Sequence, residues 1–174
     1  MARRQEKNFA FVDSQNVHKG IESLGWTLDW RKFRIHLLEK YSVKTAYLFI
    51  GFMPEHNDMY ADLQKAGFVL KFKPVLSAST ARIKGNVDAD LVLQAMIDYY
   101  SYDKAVVVTS DGDFYSLIRH LHDNDKLRIV LSPYVKTCST LLKKTAKEKI
   151  AFMDTLRPKL EAVKMKKHRS GTNP

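Results

Sequence analysis

Cysteine is almost missing from this chain of 174 residues, and its single thiol, Cys138, excludes an internal disulfide and any multi-cysteine metal site. A lone thiol fits a reducing cytoplasm, which is the expected location. Long hydrophobic runs are also absent. No stretch approaches the length needed to span a bilayer, so no membrane association is expected. The charged opening Met-Ala-Arg-Arg-Gln-Glu-Lys-Asn leads into a strand and lacks the pattern of a secretory signal. Glycine and proline are sparse, at 7 and 5 residues, which excludes a repetitive or linker-rich chain. Acidic charge is in deficit too, 19 Asp and Glu against 29 Lys and Arg. The resulting net charge of +10 favours a polyanionic partner through phosphate contacts.

The stretch from Val106 to Phe114 is the most informative. Val106-Val107-Val108 is wholly apolar and β-branched, the pattern of a strand buried on both faces. It breaks into Ser110-Asp111-Gly112-Asp113, and Phe114 to Leu121 then carry apolar residues at helical spacing. Carboxylates therefore stand where a buried parallel strand ends and a helix begins, the edge at which open α/β sheets place ligands. Asp111 could equally cap the helix, with Gly112 supplying turn geometry.

The same event recurs. Asn8 to Val12 predicts a first buried strand that empties into Asp13-Ser14-Gln15-Asn16, followed by a helix over Val17–Leu24. Thr27 or Asp29 caps a helix over Trp30–Lys40, and Val43–Gly51 predicts a second strand. A helix opens at Pro54 and runs to Ala66, with Met59, Leu63 and Ala66 inward, before a third strand, Phe68–Phe72. Residues from Pro74 to Val87 show no periodicity, and such long loops are often functional. Asp88-Ala89-Asp90 then opens a helix running to Tyr100.

A fourth strand, Lys104–Ser110, and the helix Phe114–Asp123 follow, then a fifth strand over Leu127–Leu131. A helix over Tyr134–Ala146, a short strand over Ile150–Met153 and a terminal helix over Asp154–Lys166 complete the pattern. Residues 1–160 form one expected domain, and 161–174 a basic tail. Alternating strands and helices imply a mainly parallel sheet of five to six strands with helices on both faces.

If the first and fourth strands are neighbours, their ends gather Asp13, Asp111 and Asp113, and the helix start at Asp88 and Asp90 completes the group. Clustered carboxylates repel one another unless a cation neutralises them or some take up protons. Oxygen-only ligands favour Mg²⁺ or Mn²⁺ over zinc. An acidic metal pocket in a basic protein suggests phosphodiester chemistry. Lys19, Arg82 and Lys84 are candidate phosphate contacts, each equally readable as a solvated lysine or arginine. Trp26 and Trp30 flank a turn and could stack on bases, with packing expected for at least one. His18 is best placed on a helix surface, and His120 and His122, two apart on a helix, make a poor metal pair. No P-loop, G-x-G-x-x-G or G-x-S-x-G is present.

Three blocks, Phe11-Val12-Asp13-Ser14-Gln15-Asn16, Lys84-Gly85-Asn86-Val87-Asp88 and Ser110-Asp111-Gly112-Asp113-Phe114, resemble the signature blocks of NYN domains. These belong to the PIN-like nuclease superfamily, whose bacterial branch includes LabA-like proteins. The resemblance spans about Asn8 to Leu156. It implies a Rossmann-like PIN fold and a ribonuclease dependent on Mg²⁺ or Mn²⁺. It also implies that Asp13 and Asp111 are metal ligands, that Asn16 orients a ligand or phosphate, that Asp88 is a further ligand or positions water, and that Asp113 completes the acidic group. Many relatives carry an acid a helical turn or more beyond the Asp88 block, where this chain has Gln94. That departure keeps a non-catalytic RNA-binding module as the alternative. A small-molecule phosphohydrolase is disfavoured, because Asp13-Ser14-Gln15 lacks the acid-x-acid pattern of one such class. RNA is the expected partner, and pairing of two protomers would suit this kind of fold.

Overall fold

Unbroken apolar runs in β-branched and aromatic residues can be satisfied only by strands covered on both sides. In the computed structural model, which describes residues 6–73 and 87–163, these runs form an all-parallel six-stranded sheet. The strands are β1 (Asn8–Asp13), β2 (Val43–Gly51), β3 (Phe68–Lys73), β4 (Ala105–Val108), β5 (Leu127–Ser132) and β6 (Ile150–Phe152). Their order across the sheet is β3-β2-β1-β4-β5-β6. The connections hold α1 (Ser14–Glu22), α2 (Trp30–Tyr41), α3 (Asn57–Lys65), α4 (Asp88–Ile97), α5 (Tyr115–Asp123) and α6 (Thr140–Ala146), and α7 (Arg157–Leu160) follows β6. This is the α/β, PIN-like architecture expected from the sequence. No helix among the described residues is long and apolar enough to cross a membrane.

Period-two alternation divides the core. Ala10 and Val12 of β1 face Val17 and Ile21 of α1, Phe33 and Leu37 of α2 and Leu63 of α3. Phe9 and Phe11 face the opposite layer, with Leu91 and Ala95 of α4, Leu117, Ile118 and Leu121 of α5 and Leu142 of α6. β1 and β4 lie at the centre of the sheet, in register from Phe9–Ala105 to Val12–Val108. The direction of winding reverses between them, which makes the seam at their carboxyl ends the topological switch point.

Several boundaries differ from the sequence expectation. The helix expected over Tyr134–Ala146 begins only at Thr140, because the Ser139 N–H donates to the Ser110 carbonyl and holds the preceding turn against β4. The terminal helix stops at Leu160 instead of Lys166: Glu161 turns extended and bridges to Leu28, and the Ala162 N–H donates to Thr27 O. In α3 Leu63 faces inward as expected, but the other inward residue is Tyr60, whose hydroxyl accepts from the Met53 N–H and donates to Gly51 O, and Met59 is exposed. α1 starts at Ser14 because Asp13 caps it, and α4 ends at Ile97, short of Tyr100. Asp29, not Thr27, caps α2, accepting from the Lys32 N–H. Both tryptophans pack: Trp26 is buried, and the partly buried Trp30 meets Phe33 and Phe68 edge-on.

Phe11 is fully buried on a central strand. Phe11→Ala is expected to lower unfolding free energy by about 3–5 kcal/mol in urea titrations, while Ile97→Ala on exposed α4 stays within about 0.5 kcal/mol. Similar losses for the two variants would contradict the layering.

Candidate functional site

Each acidic residue reaches the switch point by a local rule. β1 ends at Asp13, whose Oδ1 accepts from the Asn16 N–H at 3.1 Å and caps α1. β4 gives way to Thr109, and the Thr109 hydroxyl accepts from the Asp111 N–H at 3.2 Å. Asp111 Oδ1 then accepts from the Asp113 N–H at 2.9 Å, which caps the single 3-10 turn Gly112–Phe114. Asp88 is the first residue of α4. The capping reading of Asp111 is therefore correct, and Asp13 is a cap as well. It does not compete with a functional one, since a capping oxygen leaves the other carboxylate oxygen available.

Carboxylate oxygens of Asp88, Asp111 and Asp113 lie within 4.8 Å of one another. At such separations each like-charged pair costs on the order of 1 kcal/mol in water and about 3–4 kcal/mol at an effective dielectric constant near 20. Asp13 stands behind them, only 6% exposed. Burial pushes its pKa up to about 6, and the charges of Asp88 and Asp111 push it the same way, against the lowering effect of the Asn16 N–H. An all-oxygen donor set with no histidine or cysteine suits a hard divalent cation such as Mg²⁺ or Mn²⁺.

Asn16 joins the two sides of the seam. Its Oδ1 accepts from the Ser110 N–H at 2.8 Å and from the Ser110 hydroxyl at 2.9 Å. Because a backbone N–H can only donate, the amide oxygen must face Ser110, which fixes the side chain's orientation. Ser14, next to Asp13, donates its hydroxyl to Phe49 O and ties the same turn to β2.

The structure does not bring every sequence candidate together. Asp90 is exposed and outside the carboxylate group, because residues two apart on a helix point to different sides. Gln94 donates to Asp98 Oδ2 at 2.7 Å, farther along α4. Lys19 is exposed on α1, while Arg82 and Lys84 lie outside the described residues. Residues not anticipated also appear. A cleft of about 550 Å³ continues from Asp111 and Asp113 past Tyr115, Thr137, Ser139 and Leu141. Nothing in the spacing of Thr137 and Ser139 signals this role, which arises from α6 packing beside the Gly112 turn.

Carboxylates gathered at the switch point of an all-parallel sheet, without a glycine-rich phosphate loop, define a PIN-like α/β domain with an oxygen-donor site. The chain belongs to the NYN domain family, whose sequence model matches residues 9–154. That family is of the PIN-like nuclease type. A solved structure of a protein of unknown function from Vibrio parahaemolyticus shares the fold, with a TM-score of 0.72 and 22% identity, over 88% of this chain and 96% of that one. No curated protein matches the sequence.

The raised pKa of Asp13 has a consequence for stability. The fold favours its protonated form, so its contribution is present below about pH 4 and is lost as pH rises through about 6. The loss is on the order of 2–3 kcal/mol. In metal-free buffer, Asp13→Asn is expected to be more stable than the parent at pH 8 and no more stable at pH 4, measured by urea unfolding. Equal stability at pH 8 would show that the carboxylate is not shifted.

Proposed function

We propose that this protein is a divalent-metal-dependent ribonuclease that hydrolyses RNA phosphodiester bonds at the seam between β1 and β4. The observation that carries this reading is the convergence of Asp88, Asp111 and Asp113 within 4.8 Å, in a chain of net charge +10. The excess positive charge attracts a polyanion over long range, while the local acidic group repels bare phosphate. The two are compatible only if cations offset the carboxylates where the backbone arrives.

Asp88, Asp111 and Asp113 would hold Mg²⁺ or Mn²⁺, with Asp13 behind them. A bound divalent cation supplies Lewis acidity towards a phosphate oxygen and lowers the pKa of water. The chain's own contribution is positional. The caps at Asp13 and Asp111 fix where their carboxylates stand, and the Asn16–Ser110 clamp holds the two strand ends at one spacing. In hydrolysis, water adds to phosphorus, one P–O bond breaks, and the leaving oxygen takes up a proton. A rigid acidic frame would serve that reaction by holding the cation where negative charge develops, with no rearrangement of the frame.

The test is incubation of labelled single-stranded and structured RNAs with Mg²⁺, Mn²⁺ or EDTA, beside an Asp111→Asn variant. Cleavage is expected with metal and not with EDTA, and the variant is expected to lose about 100-fold or more in kcat/KM. Salt-dependent RNA binding without cleavage under either metal would sink the hydrolytic reading and leave an RNA-binding module. Independently of turnover, Mn²⁺ is expected to raise the parent's melting temperature and to leave that of Asp111→Asn nearly unchanged.

A further inference from the structure

The cleft beside the carboxylates has an unusual lining for a site expected to meet nucleic acid: among the described residues, no lysine, arginine or histidine lines it. Its acidic residues are confined to Asp111 and Asp113, and the remainder is hydroxyl, amide, aromatic and aliphatic: Ser110, Thr137 and Ser139, then Asn16, then Tyr115 and Leu141. Without a cation, such a surface has nothing to neutralise a phosphate. It has what a neutral, flat, polar-edged ring requires, namely apolar walls and a floor of hydrogen-bonding groups.

The walls are large side chains left open to solvent. Tyr115, at the start of α5, is 37% exposed, and Leu141 on α6 is 47% exposed. The Arg119 guanidinium lies over the Tyr115 ring at 5.7 Å from its centroid. That contact places positive charge over one face of the ring, and the 37% exposure of Tyr115 leaves part of the side chain open to the cleft. The floor is fixed by a close approach: a Cβ on Gly112 would overlap Ser139 Oγ and lie 3.1 Å from Ser139 Cβ. The Ser139 N–H donates to Ser110 O at 3.0 Å, so the loop before α6 is tied to the carboxylate turn.

We infer that this cleft is a nucleoside subsite, in which one unpaired base stacks on Tyr115, against Leu141, with its polar edge towards Ser139 and Asn16. Its position next to the scissile phosphate rests on the ribonuclease reading; the stacking does not. A base can occupy the cleft only when free of its own duplex, so the substrate class is single-stranded RNA, or an unpaired loop. The cleft volume of about 550 Å³ falls within the range of about 300–1,000 Å³ usual for small-ligand sites.

The experiment is fluorescence anisotropy with labelled hexauridylate in Ca²⁺, a hard divalent cation, for the parent, Tyr115→Ala and Tyr115→Phe, with circular dichroism to check that each is folded. Tyr115→Ala is expected to weaken binding about tenfold, and Tyr115→Phe to remain within about twofold of the parent. An abasic residue is then moved through the six positions of the probe. At one position the abasic probe is expected to weaken parent binding as much as Tyr115→Ala does, with no further loss when the two are combined. Unchanged affinity for Tyr115→Ala, or losses that add at every position, would overturn the subsite. If the coupling is seen but no metal supports cleavage, the subsite stands and the hydrolytic reading fails. If the parent binds no hexauridylate, the subsite fails, and the cleavage assay on structured RNA decides the hydrolytic reading separately.

Discussion

The parallel pairing of β1 with β4 is the contact on which the candidate site depends. Residues Ala10 to Val12 and Val106 to Val108 are fully buried, so neither strand can slide without moving side chains between the two core layers. The register brings the end of β1 beside the end of β4, and the chain leaves both strands through acidic turns. Everything else at the site is adjustment around that seam. Asn16 and Ser110 lock the two turns together, Ser14 ties one of them to β2, and Ser139 ties the other to the loop before α6.

Local and collective forces oppose each other here. Individually, Asp13 and Asp111 stabilise the structure, since each satisfies backbone N–H groups at a helical start. Collectively, the carboxylates raise the free energy of the fold through mutual repulsion and, for Asp13, through burial. The caps cannot be moved without unwinding the turns that carry them. The repulsion is therefore built into the topology, and the remedies open to the chain are protonation and cation binding.

Much of this was legible in the sequence, for identifiable reasons. Strands buried on both faces must be apolar throughout, which is why the run Val106–Val108 stood out. Asp13, Asp88 and Asp111 were legible because helix starts favour such residues at strand-to-helix turns. Tertiary contacts hid the rest. The predicted helix from Tyr134 failed because one hydrogen bond, from Ser139 to Ser110, delays its start until Thr140. The predicted terminal helix failed because the segment after Leu160 is drawn into contact with Thr27 and Leu28. Asp90 seemed a partner of Asp88 by proximity in sequence, yet helical geometry separates them. Tyr115 and Leu141 border one cleft only because α5 and α6 pack together, a fact that neither segment carries alone.

The strand order also sets a temporal constraint. β1, β2 and β3 are consecutive in the chain and adjacent in the sheet, and so are β4, β5 and β6. Among the six strands, the seam is where partners from opposite halves pair, and the clamp across it links residues 94 positions apart. Short-range pairings within each half close smaller loops, whereas the seam must close a larger one, at a greater entropic cost. Asp13 is made in the first half of the chain, whereas Asp111 and Asp113 follow β4, so the group meets only where β4 docks on β1. The carboxylate cluster is thus a property of the finished chain, and a ribosome-bound fragment ending before β4 cannot assemble it.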